Sequence, residues 1–143
     1  LKILKRKAYQ YRYGDKKKKL KYVNEEKGIT YKEIEQMINE NGKDCYYCEN
    51  ETYIIDLNRS KSQLTMERLD NSKGHSVSNC VIACLGCNTK RGDMCSSDEF
   101  KLAVQARKKG NKKIMNQLIK KYYSLTPCPS APPTGLAPRG ADA

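Results

Sequence analysis

Tryptophan is absent from this 143-residue chain and phenylalanine occurs once. With hydrophobic residues at 38% of the composition, that excludes a large apolar core and leaves a small fold that gains from a metal staple. Histidine also occurs once, at His75, so a single imidazole is on offer as a base. No apolar run approaches the ~18 residues that a membrane-spanning helix needs, and none resembles a signal peptide, so no membrane partner is expected. Internal repeats are lacking too. The first 126 residues hold no proline; all five lie from Pro127 onward among Ala, Ser and Gly, and residues 125–143 read as a disordered tail. An even cysteine count behind a signal peptide, the mark of a secreted disulfide framework, is missing as well. The seven cysteines point instead to an intracellular, reducing compartment, with nucleus, cytoplasm, organelle matrix and virus-infected cell left open. Opening on Leu1 and not Met, the sequence reads as a fragment or a processed product.

Positive charge is what the chain has in excess. Lys and Arg outnumber Asp and Glu by 28 to 16, a formal charge of +12, which favours a polyanionic partner, DNA or RNA. Lys2 to Lys21 carries ten basic side chains against one acid, Asp15. Residues 1–29 are therefore expected as a basic arm, either solvated and partly helical or tracking phosphates through Lys16, Lys17, Lys18 and Lys19. The ten tyrosines suit stacking on unpaired bases, though they serve equally as core filler.

Local signals give an α+β reading. Thr30 and Glu33 form a capping box, Ile34, Met37 and Ile38 recur at helical spacing, and Gly42 offers a stop. Tyr53, Ile54, Ile55 and Leu57 suggest a short strand; Leu64–Leu69 and Asn79–Cys84 suggest two more, with a loop at Asp70–Gly74 between them. A short helix is expected through Asn88 to Arg91. A second capping box at Ser96 and Glu99 opens a helix carrying Phe100, Leu102, Ala103 and Val104. After Gly110, the apolar positions Ile114, Met115, Leu118 and Ile119 predict a basic C-terminal helix over 105–124.

Cys45-x-x-Cys48 and Cys84-x-x-Cys87 supply four thiolates, the ligand set of a closed tetrahedral zinc site. Each short spacing lets a knuckle aim two sulfurs at one ion, and the intervening segment is long enough to bring the pairs together. No coordination position is left open, so this zinc holds structure and does no chemistry. Cys80 reads as a small core residue, while Cys95 and Cys128 have no evident role.

The order Cys45-x-x-Cys48, Met66-Glu67-Arg68-Leu69-Asp70-Asn71, Gly74-His75, Asn79, Cys84-x-x-Cys87-Asn88 and Lys90 resembles the zinc-containing HNH endonucleases across residues 30–104. The resemblance implies a ββα-metal fold, two strands and a helix around a divalent cation buttressed by zinc knuckles, with flanking helices. It places Glu67 at the metal-binding acidic position, Arg68 at the general-base position, Asn79 at the position that orients the base, and Asn88 at the helix ligand position. Glu67 and Asn88 would then hold Mg²⁺ or Mn²⁺. Arg68 departs from the pattern, because a guanidinium accepts no proton near neutral pH; it suits a phosphate clamp instead. His75 stands where relatives with such a stretch carry Tyr, either as the replacement base or as a packing residue. Lys90 and Arg91 read as phosphate contacts.

Two function classes stay open: a metal-dependent endonuclease cleaving phosphodiester bonds, and a non-catalytic DNA- or RNA-binding module, such as a structural protein of a large ribonucleoprotein like an organellar ribosome. A zinc-dependent protein-interaction module leaves the +12 charge unexplained.

Overall fold

Leu4, Ala8, Tyr11 and Asp15 recur at helical spacing inside the basic N-terminal stretch, and together they turn it into part of the core. A computed structural model describes residues 1–55, 60–114, 116, 117 and 120. Helix α1 (Lys2–Lys17) buries Leu4, Ala8 and Asp15 on one face and leaves Tyr9, Tyr13 and most of its bases on the other. The Tyr11 hydroxyl accepts a hydrogen bond from the Met66 amide at 3.1 Å. The expectation of an arm outside the domain is thus corrected, since a few apolar residues in register outweigh many lysines that need only face water.

Helix α2 (Tyr31–Asn41) starts at the expected capping box. The Glu33 amide donates to the Thr30 hydroxyl, and the Glu33 carboxylate accepts from the Thr30 amide at 2.7 Å. It ends at Gly42, whose φ of 76° favours glycine. Strands β1 (Leu64–Arg68) and β2 (Cys80–Cys84) form a two-stranded antiparallel sheet in the register Leu64↔Cys84, Met66↔Ile82, Arg68↔Cys80. One face sets Leu64, Met66, Cys80 and Ile82 against Leu4, Ala8, Ile29 and Ile34, which is the main core. The other face turns Thr65 and Glu67 toward α3 (Leu85–Arg91), which follows β2 without a break. The α+β reading holds, with a small sheet between helices, and Cys80 is the buried core residue expected of it.

Helix α4 (Ser97–Lys108) begins where the Ser96 hydroxyl accepts from the Glu99 amide at 3.2 Å. It crosses the boundary expected at 104/105, because Phe100 and Val104 pack together against the cysteine cluster as one helix face. Gly110, with φ of 70°, ends that run. No strand forms at Tyr53–Ile55. Tyr53 makes a single bridge to Gln63, and the β1 ladder is taken by β2. Leu57, Met115, Leu118, Ile119, Cys128 and residues 125–143 lie outside the described residues. Among the described residues, no helix is long and apolar enough to cross a membrane.

The loop between the strands is pinned to the α1–α2 connection. The Gly74 amide donates to the Lys21 carbonyl at 2.8 Å, and the Ile29 amide donates to the His75 carbonyl at 2.8 Å. A Cβ on Gly74 would lie 2.5 Å from the Tyr22 ring, so only glycine lets the loop approach this closely.

Leu4→Ala is expected to cost about 2–5 kcal/mol of unfolding free energy, as for other buried leucines. Denaturant unfolding with an unchanged midpoint would return α1 to the status of an external arm.

Candidate metal centre and the adjoining pocket

Two turns carry the four cysteines. In the first, the Cys45 amide donates to the Asn50 carbonyl and the Glu49 amide to the Cys45 carbonyl, each at 2.9 Å, closing residues 45–50 into a knuckle. The Tyr46 amide donates to the Ile82 carbonyl at 2.8 Å and ties that knuckle to β2. Tyr47 is fully buried and meets Phe100 of α4 edge-on, with ring centroids 4.8 Å apart. The second turn is the junction of β2 and α3, where Cys84 Sγ accepts the Cys87 amide at 3.4 Å and caps the helix. The Gly86 amide donates to the Lys61 carbonyl at 2.9 Å.

As a result, the Sγ atoms of Cys45, Cys48, Cys84 and Cys87 lie within 4.8 Å of one another. The Cys48–Cys84 separation is 3.9 Å, against the roughly 3.8 Å tetrahedron edge that metal–sulfur bonds of ~2.3 Å imply. Left to themselves the thiols compete for one negative charge. Hydrogen bonds from Cys84 and Cys87 hold Cys45 far below the ordinary thiol range, and Cys45 in turn pushes Cys84 up to about 11 and Cys87 higher still. A divalent cation removes that competition by stabilising all four thiolates. The geometry and donor set therefore fit a metal of the zinc kind, with no position left over for a reacting ligand. Among the described residues it is the one group of three or more His, Cys, Asp or Glu side chains close enough to hold an ion.

The residues expected at a reaction centre gather beside it. Glu67, Arg68, His75 and Asn88 line one pocket of about 420 Å³ with Lys18, Asn71 and Asp93. The settings of the expected site residues, including Asn79 and Arg91 outside the pocket lining, depart from the expectations in four places. Glu67 is buried, and its Oε1 pairs with Arg91 Nη1 at 3.1 Å, while its Oε2 is sealed from solvent without a hydrogen bond. Burial pushes its carboxyl up from the usual range and the Arg91 guanidinium opposes that shift. A guanidinium thus occupies the place of the cation, and Glu67 with Asn88 does not fit a Mg²⁺ or Mn²⁺ site in this arrangement. Asn88 itself donates to the Thr65 hydroxyl at 3.0 Å.

Arg91 is the second departure. It is 2% exposed, and besides Glu67 it donates to the carbonyls of Arg68 at 2.6 Å, Leu69 at 2.9 Å and Cys95 at 3.1 Å. So complete a set of buried partners makes it a structural clamp between α3 and the end of β1 and removes it as a phosphate contact. Asn79 is the third. Its side chain accepts from the Asp70 amide at 2.9 Å and donates to the Asp70 and Gly74 carbonyls at 3.0 Å, closing the loop without touching the His75 ring. Arg68, the fourth, spends Nη1 on the Asn71 and Lys73 carbonyls at 3.1 Å while still lining the pocket. Lys16, Lys17, Lys18, Lys19 and Lys90 are exposed, as phosphate contacts must be.

His75 has a partner that sequence reasoning did not supply. Its ring Nδ1 lies 2.8 Å from Asp15 Oδ1, and its backbone amide donates to Asp15 Oδ2 at 2.7 Å. Its ring stacks on Tyr11 with centroids 4.5 Å apart. Burial holds the imidazole below its ordinary value; Asp15 opposes that shift, and the positive charges of Arg68 and Lys18 add to it. The signal for Asp15 was legible: it is the lone acid in the basic run, in helical register with Leu4, Ala8 and Tyr11.

Comparison with protein families, with curated proteins and with solved structures returns no match in any of the three.

About one zinc per chain is expected on metal analysis, and a strong chelator should unfold the protein, since folding and thiolate binding of such an ion share one free energy of ~10–16 kcal/mol. A chain that keeps its far-ultraviolet dichroism after losing the metal would show that the four cysteines pack without needing it.

Proposed function

We propose that this chain is a zinc-stapled nucleic-acid-binding domain of the HNH endonuclease kind, and that the pocket at the end of β1 acts on the phosphodiester backbone. The observation that carries the reading is the grouping of Arg68, His75, Asn88 and Lys18 around one pocket, next to the exposed run Lys16–Lys19. A phosphate in that pocket meets two cationic side chains, Arg68 and Lys18, and an imidazole. The run of lysines at the C-terminal end of α1 offers a path for the flanking backbone. The sequence β1, β2, α3 beside four converging cysteines agrees with the strand–strand–helix plan that the resemblance implies. On the outer face of α1, Tyr9 and Tyr13 stack on each other with centroids 6.1 Å apart, each 59% exposed, and offer π-faces among the bases.

The paired, sealed Glu67 favours a second reading, a binding module without chemistry. It takes away the carboxylate that a metal-dependent nuclease needs for its ion, and position 68 offers no base.

Binding to DNA or RNA should weaken steeply with salt, in proportion to the number of phosphates neutralised. Replacing Lys16–Lys19 with glutamine should flatten that slope by about 0.7–0.9 for each phosphate no longer neutralised. Affinity independent of salt would remove nucleic acid as the partner. On a supercoiled plasmid and a structured RNA, the zinc-loaded protein should produce cleavage products. Tight, salt-sensitive binding without cleavage would leave the non-catalytic reading.

A further inference from the structure

We infer that Asp15 and His75 form a catalytic dyad, with His75 as the general base of the pocket and Asp15 as its positioning residue. The inference rests on the reading of the pocket as a phosphodiester site.

Asp15 is 2% exposed, at the last turn of α1; its Oδ2 accepts from the His75 amide and its Oδ1 faces the His75 ring, while the Tyr22 hydroxyl hydrogen-bonds the same carboxylate. A carboxylate can only accept, so Nδ1 carries the proton, and the neutral ring keeps its lone pair on Nε2. Two hydrogen bonds from one carboxylate fix ring and backbone together, and the stacked Tyr11 ring holds the imidazole plane from the side. The loop has little freedom to move away: Gly74 is pressed against Tyr22, and Asn79 holds the Asp70 and Gly74 carbonyls. The partner comes from 60 residues away, so the ring is fixed to α1 and not only to its own loop.

His75 lines the pocket with Arg68 and Lys18, which supply the positive charge that a phosphate oxygen needs as it gains charge. In the step this geometry supports, Nε2 takes a proton from a water molecule, and the water oxygen forms the new bond to phosphorus. The bond from phosphorus to the leaving oxygen breaks, that oxygen takes a proton from solvent, and the imidazolium returns its own proton to water. Asp15 stabilises the imidazolium through the hydrogen bond at Nδ1. The arrangement answers the puzzle of position 68: the base missing from the end of β1 is supplied by the following loop and oriented by a different helix.

The single histidine makes the test clean. In the zinc-loaded full chain, ¹⁵N resonances of the imidazole should report the Nδ1–H tautomer, and Asp15→Asn should shift them toward a mixture. An unchanged tautomer would overturn the dyad whatever the activity. In cleavage of plasmid DNA and structured RNA, His75→Gln should lower kcat by about 10²–10⁴-fold, and Asp15→Asn should lower kcat with little change in KM. Added imidazole should restore cleavage to His75→Gly, a rescue that a packing role would not give. Zinc content and circular dichroism establish that each variant is folded, and Asp15→Glu replaces Asp15→Asn if the latter is not. Wild-type cleavage matched by His75→Gln would sink the dyad while leaving the phosphodiester reading intact. A wild type inert on both substrates would remove the two together.

Discussion

Four sulfur atoms that lie within 4.8 Å of one another, close enough to hold one metal ion, set the position of nearly everything else in this protein. Cys84 is at once the last residue of β2, the cap of α3 and one of the four sulfurs, so the cysteine cluster, strand and helix meet at a single side chain. Cys45 and Cys48 bring with them Tyr47, which seats α4 through Phe100, and Tyr46, whose amide is tied to β2. In a chain with one Phe and no Trp, a metal held by these four sulfurs would take the part that a second apolar core plays in a larger domain.

The second organising constraint is ionic and lies at the other end of the strand pair from Cys84. Arg91 reaches from α3 to Glu67 and to the carbonyls where β1 ends, so the strand cannot leave the helix without stranding a buried charge. From that fixed end the loop runs to Asn79, which closes it, and to Asp15, which docks it on α1. The pocket is the space left between these two fastenings. Its groups are therefore held by the same contacts that hold the fold.

Elements whose signals are local were legible in the sequence. The Thr30–Glu33 box, the Ser96 cap and the two Cys-x-x-Cys turns each depend on residues a few positions apart, and each is where the pattern puts it. The strands at Leu64–Arg68 and Cys80–Cys84 followed from β-branched and alternating residues. What escaped depends on partners distant in the chain. Arg91 looked like a surface base because nothing local announces Glu67 as its partner 24 positions earlier. Asn79 was assigned to the imidazole, yet it serves the loop backbone, a role that only tertiary packing decides. The helix α1 was masked by its own charge; the four residues that face inward are in register, but seven lysines and arginines obscure them. Asp15 is the clearest case, since its lone acidic charge was visible and its use was not.

The most direct test of the central claim is X-ray absorption at the zinc edge of the purified protein, which reads ligand type and distance without reference to folding or activity. The account predicts a single shell of four sulfur neighbours at about 2.3 Å. A shell containing nitrogen or oxygen, or fewer than four sulfurs, would contradict it, because the two knuckles would then not close on one ion and the strands and helix between them would lack their common anchor.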